Sequence, residues 1–96
     1  MPRKTFKDLS MEIAPKGGVI GSFVLEGEWT VYALMTDSSK GGKNGLWEIV
    51  VFRAEEKNPE KLNCFQKERS CGFLSFTELE EKLIEIQQEL FPDPME

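Results

Sequence analysis

The side chains with which this chain can do chemistry are few, and histidine is not among them. The chain therefore lacks the commonest general base and the commonest metal ligand, and no Ser-His-Asp or Cys-His arrangement can form within it. Asp, Glu, Lys, Tyr and Cys remain for proton transfer. That inventory points away from an enzyme, and neither a cofactor nor a metal ion is expected.

Cys64 and Cys71 are the two cysteines. If 66–69 is a hairpin loop, pairing 65 with 70 sets 64 opposite 71, where α-carbons about 4.5–5.5 Å apart lie within disulfide reach. The other reading is two small buried hydrophobes in a reducing compartment. Two cysteines without histidine cannot fill a tetrahedral zinc site in one chain, so zinc would need a site shared across a dimer.

The run Lys40-Gly41-Gly42-Lys43-Asn44-Gly45 resembles a phosphate cradle in composition only. A P-loop opens a helix after a strand, whereas here a strand follows the loop. These glycines, like those of 17–21, read as turn residues. Lys40 and Lys43 at the loop tip are still placed to touch a phosphate or an acidic partner. Glu48 is the one carboxylate embedded in an apolar stretch. It reads as a half-exposed sheet-edge residue with Arg53 or Lys67 as neighbour, and a catalytic Glu of raised pKa is the alternative.

The elements that must position these residues are legible from periodicity. Ser75 and Glu78 form a capping box, with Leu74 and Leu79 in the staple positions. Phe76, Leu79, Leu83, Ile86 and Leu90 follow at helical spacing, widened by Ile84 and Phe91, and Pro92 and Pro94 stop the run. This predicts a helix over 76–91, with Glu78 able to pair with Lys82. Upstream, 19–26 and 28–36 read as strands joined at Glu26-Gly27, and 46–54 as a third. The loop 36–45 between them is polar and Gly-rich, and so is expected to be mobile. A fourth strand or final hairpin falls at 62–67 and 71–74. Residues 1–18 stay ambiguous: Leu9, Met11 and Ile13 alternate as in a strand, while Phe6, Leu9 and Ile13 fit a helix.

One domain results, an α+β fold in which an antiparallel β-meander of three to five strands packs on one C-terminal amphipathic helix. Its parts are the N-terminal segment 1–18, the β-rich region 19–74, the helix 75–91 and a tail 92–96. The meander is apolar on both sides. In 46–52, six of seven residues are apolar. Trp47, Ile49 and Val51 oppose Leu46, Val50 and Phe52, and in 29–35 Trp29, Val31, Ala33 and Met35 oppose Thr30, Tyr32 and Leu34. The helix is about 24 Å long and four strands are about 19 Å wide, so it covers one face and no more. The other face needs the N-terminal segment, sheet curvature or another chain.

Net charge is −5, and the distribution is uneven: +2 over 1–18, −1 over 19–76 and −6 over 77–96. Such a chain is a poor nucleic-acid binder by electrostatics and attracts basic partners. The apolar runs fall far short of a membrane span, and no apolar segment of signal-peptide length follows the basic N-terminus, so a cytoplasmic protein is expected, and its small size suggests a phage or plasmid origin.

Three functions are compatible with this pattern. The first is a non-enzymatic regulatory protein that occludes or bridges another protein, or pairs with itself as a homodimer, through an aromatic-aliphatic sheet face; Trp29, Tyr32 and Trp47 would be its anchors, with Lys40 and Lys43 beside them. The second is an acidic inhibitor of a DNA- or RNA-binding machine, as some phage proteins are, in which Glu78, Glu81, Glu85 and Glu89 imitate phosphates. The third is a single-stranded nucleic-acid module that stacks bases on sheet aromatics. The outline of strands followed by one helix is similar to that of several such modules, an analogy of fold alone.

Overall fold

A computed structural model describes residues 4–15, 17–55 and 72–92. Four strands, β1 (Ser10–Ile13), β2 (Gly18–Leu25), β3 (Trp29–Thr36) and β4 (Glu48–Arg53), form one antiparallel sheet in the order β1-β2-β3-β4. The helix α1 (Phe76–Leu90) packs on one face. This is the expected α+β meander, with the ends of the three expected strands within two residues of their predicted places.

The ambiguous N-terminal segment becomes a strand over Ser10–Ile13 after a single 3-10 turn, so the helical spacing of Phe6, Leu9 and Ile13 forms no α-helix. Phe6–Asp8 is a 3-10 turn, capped by the bond from the Thr5 amide to Asp8 Oδ2 at 2.7 Å. Leu9 then enters the core, and β1 begins. At Gly21 the sheet makes room for this strand: a β-carbon there would lie 2.5 Å from Met11 Sδ.

Register sorts the side chains into two sets. Phe23, Leu25, Val31, Ala33, Ile49 and Val51 point inward and are buried with Leu9, Trp47, Leu74, Leu79, Leu83 and Ile86. Leu74 and Leu79 both belong to this core, as the staple requires, and the backbones of Trp47 and Leu74 exchange bonds of 2.7 and 2.9 Å. Of the fourth-strand segments suggested by the sequence, 62–67 and Cys71 lie outside the described residues.

The β2–β3 hairpin closes through three residues, with Leu25 paired to Trp29. Gly27 (φ 81°) and Glu28 (φ 65°) both take left-handed conformations, and the connection is one residue longer than a turn at Glu26-Gly27. Gly18 has the strictest requirement. Its φ is 90°, and a methyl group there would collide with the Met35 carbonyl on the neighbouring strand.

The N-terminal segment is held on the helix side. Gln87, the one polar residue buried among the described residues, accepts from the Lys4 amide at 2.8 Å. Its Nε2 donates to the Lys4 carbonyl at 2.8 Å and to the Leu83 carbonyl at 2.9 Å. Phe6 packs edge-on against Trp47 and Phe76, with ring centroids 5.6 and 4.9 Å away.

Two substitutions test this account by urea denaturation. Gly18→Ala should cost about 2–3 kcal/mol, the strain of a side chain in a disallowed conformation. Gln87→Ala should cost about 1–3 kcal/mol for polar groups left unpaired, and limited proteolysis should then cut the N-terminal segment earlier than in the parent protein.

Candidate functional site

The candidate surface is the sheet face opposite α1. Cross-strand pairing builds it in rows. Val24, Thr30 and Phe52 form one; Ser10, Ser22, Tyr32 and Val50 the next; Glu12, Ile20, Leu34 and Glu48 the third. Six of these residues are apolar or aromatic: Ile20, Val24, Tyr32, Leu34, Val50 and Phe52. Val24 is 64% exposed and the other five are half-buried. The described N-terminal segment and α1 both lie on the inward side.

Tyr32 and Phe52 meet edge-to-face, with ring centroids 5.7 Å apart and planes at 85°. Beside them is a shallow cleft of about 340 Å³ lined by Thr30, Tyr32, Phe52, Arg53, Ala54 and Glu55. It sits at the end of the face next to the β2–β3 hairpin, and its size suits one large side chain of a bound molecule.

Glu48 occupies the opposite end. Its Oε1 accepts from the Lys40 amide at 2.8 Å, which ties the β3–β4 loop to the sheet. Ser39 does the same from inside the loop: the Thr36 amide donates to Ser39 Oγ at 2.8 Å, and that hydroxyl donates to the Thr36 carbonyl at 3.0 Å. The segment Gly42–Asn44 is a 3-10 turn flanked by left-handed Gly41 and Gly45. A loop expected to be mobile is thus laced by hydrogen bonds. Lys40 and Lys43 are exposed on it.

The three aromatic anchors named from sequence do not converge. Tyr32 stands on the outer face. Trp47 is 7% exposed and packed in the core under Phe6, away from Tyr32. Trp29 projects from the inner set of β3, half-buried, with the Arg53 guanidinium 5.4 Å from its ring centroid. The period of two had already put Trp29 opposite Tyr32 on its own strand; the place of Trp47 follows from the β3–β4 register. Ile20, Val24 and Glu12 are the additions from structure, and their signal was the register of β1 and β2.

The acidic helix residues are partly engaged. Glu78, Glu81 and Glu85 are exposed and Glu89 half-buried. Glu85 accepts from Lys82 Nζ at 2.7 Å, an i,i+3 pair in place of the expected Glu78–Lys82 contact. Glu78 Oε1 accepts from the Ser75 amide at 2.9 Å, while Ser75 Oγ accepts from the Glu78 amide at 3.2 Å. The backbone bond from Ser75, and then the bond to its side chain, hold the Glu78 carboxyl below its ordinary range. Cys64 and Cys71 lie outside the described residues. Among the described residues no group of three or more Cys, Asp or Glu is placed to hold a metal, and no helix is long and apolar enough to cross a membrane.

Because the Glu78 pKa is depressed on folding, the cap stabilises the fold above the ordinary carboxylate pKa and loses that contribution as pH falls through the folded value. Thermal midpoints between pH 7 and pH 3 should therefore fall less steeply for Glu78→Gln than for the parent. Ser75→Ala should cost about 1 kcal/mol at neutral pH. Compared with known protein families, curated proteins and solved structures, the chain matches none.

Proposed function

We propose that this is a non-enzymatic binding protein that regulates another protein by occupying or bridging it through the sheet face opposite α1. The observation that carries the reading is the continuous apolar set Ile20, Val24, Tyr32, Leu34, Val50 and Phe52 on that face, with the described N-terminal segment clasped to the other side by Gln87. A sheet exposed to water on one side normally alternates apolar with polar residues. Here the alternation fails across three neighbouring strands, and an apolar patch of this kind marks an interaction surface. The aromatic pair and the adjoining cleft supply the shape for an anchoring contact.

The acidic-mimic reading has less support. A phosphate mimic needs a row of free carboxylates, and Glu78 and Glu85 already have partners within the helix. Stacking of single-stranded nucleic acid on Tyr32 and Phe52 runs against the net charge of −5.

The test is an asymmetry in stability. Val24→Lys and Leu34→Lys, on the outer face, should each change the unfolding free energy by about 1 kcal/mol or less. Val31→Lys and Ala33→Lys, on the inner face, should cost about 4 kcal/mol or more, or prevent folding. The folded parent should also bind an apolar dye, and the outer-face lysines should abolish that binding. Equal costs on the two faces would show that the outer face is covered from within the chain, and the proposal would fall.

A further inference from the structure

The charges on this face say what kind of chain it receives. At the strand positions of the face among the described residues, the only charged side chains are Glu12 on β1 and Glu48 on β4, at the two ends of the row Glu12–Ile20–Leu34–Glu48. Three inter-strand steps put their α-carbons about 14 Å apart. The basic residues Lys40 and Lys43 stand on the loop beyond the end of the sheet. Anything laid over the row removes both carboxylates from water. A covered carboxylate is costly unless a cation reaches it. Glu48 has one oxygen already bonded to the Lys40 amide, and no described residue bonds Glu12.

We infer that the occupant is a basic amphipathic segment of another protein, most simply a helix lying along this row, with its apolar stripe on Ile20, Tyr32, Leu34 and Val50 and a Lys or Arg at each flank meeting Glu12 and Glu48. The inference rests on the outer face being a docking surface and adds the chemistry of the partner. Two features argue against a second copy of this chain. Face-to-face two-fold packing centred on the row sets Glu12 against Glu12 or Glu48 of the other copy, with no basic side chain at the described strand positions of the face to lie between them. The described face is about 19 Å wide and at most about 26 Å long, under about 500 Å², against about 800 Å² per partner in a standard stable complex. That footprint fits two to three turns of helix, whose apolar anchors recur every three to four residues. The cleft beside Tyr32 and Phe52 takes a terminal anchor residue.

The probe is a synthetic fourteen-residue helix of leucine and lysine with a leucine stripe, followed by fluorescence anisotropy and by amide chemical shifts of the labelled protein. Companion peptides replace every lysine by glutamine or by glutamate. The lysine peptide should bind saturably and shift the signals of Ile20, Tyr32, Leu34 and Val50. The double variant Glu12→Gln, Glu48→Gln should weaken it about tenfold, while Glu81→Gln on the helix leaves it unchanged. Gln at position 48 keeps the acceptor for the Lys40 amide, so the loop is retained. If the glutamine peptide binds the same residues equally well, the charge assignment is overturned and the docking face survives. Self-association seen by light scattering and abolished by Leu34→Lys, with no peptide bound, overturns the basic partner in favour of a second copy. Shifts confined to α1 would show an electrostatic contact with the acidic helix and overturn the site. No binding of any peptide, together with equal stability costs on the two faces, removes the underlying reading as well.

Discussion

Gln87 decides on which side of the sheet the N-terminal segment lies. Its amide is buried within α1, where it bonds the Leu83 carbonyl, and a second donor and an acceptor must be satisfied in a place water does not reach. The Lys4 main chain supplies both, at 2.8 Å each. Leaving either group unpaired would cost about 1–3 kcal/mol, comparable to burying a leucine. Apolar packing of Phe6 against Trp47 and Phe76 is tolerant of small shifts, but the paired amide bonds are not. The segment is therefore fixed against the helix, and the described elements able to shield the sheet are gathered on one side of it.

That choice gives meaning to the register. Each strand offers two sets of side chains, and nothing in a period of two says which set the helix takes. The alternation on β4 continues past the strand to Trp47, whose backbone pairs with Leu74 immediately before the helix cap. Residues 49 and 51 follow Trp47 inward, so Val50 and Phe52 are committed outward, and pairing passes that assignment to β3 and β2. Glu48 then falls at the outer edge of the face, where the Lys40 amide meets it.

The helix, its cap and its staple were legible in the sequence because they depend on contacts within a few residues. Ser75 reaches Glu78 three residues on, and Leu74 and Leu79 flank that cap and enter the same core. The β2–β3 hairpin was legible for a similar reason, since its turn is short, and β4 was legible from its unbroken apolar run although a long loop precedes it. The N-terminal segment was not. Its two patterns are of similar strength, and what separates them is a contact with Gln87 across 83 positions of sequence. Gln87 itself lies next to Ile86 on the buried stripe, but its polarity hid it. The site was half visible: Tyr32, Leu34, Val50 and Phe52 shared a parity, while the anchoring role given to Trp47 rested on residue type, which cannot distinguish a core tryptophan from an interfacial one.

An apolar surface alone is an indiscriminate binder, since burial of hydrocarbon has no direction. The outer face avoids this by setting carboxylates at the two ends of one row. An apolar partner without cations gains from contact with Ile20 and Leu34 and loses by stripping water from Glu12 and Glu48. A basic partner without an apolar stripe gains little at an exposed carboxylate, where an ion pair contributes about 0–1 kcal/mol. A segment carrying both features, at the spacing of the row, is favoured on each count. Discrimination of this kind comes from penalties on the wrong partner as much as from attraction to the right one. On the proposed reading, the surplus of negative charge on the rest of the molecule would act at longer range, raising the encounter rate with a basic chain before contact with the face is made.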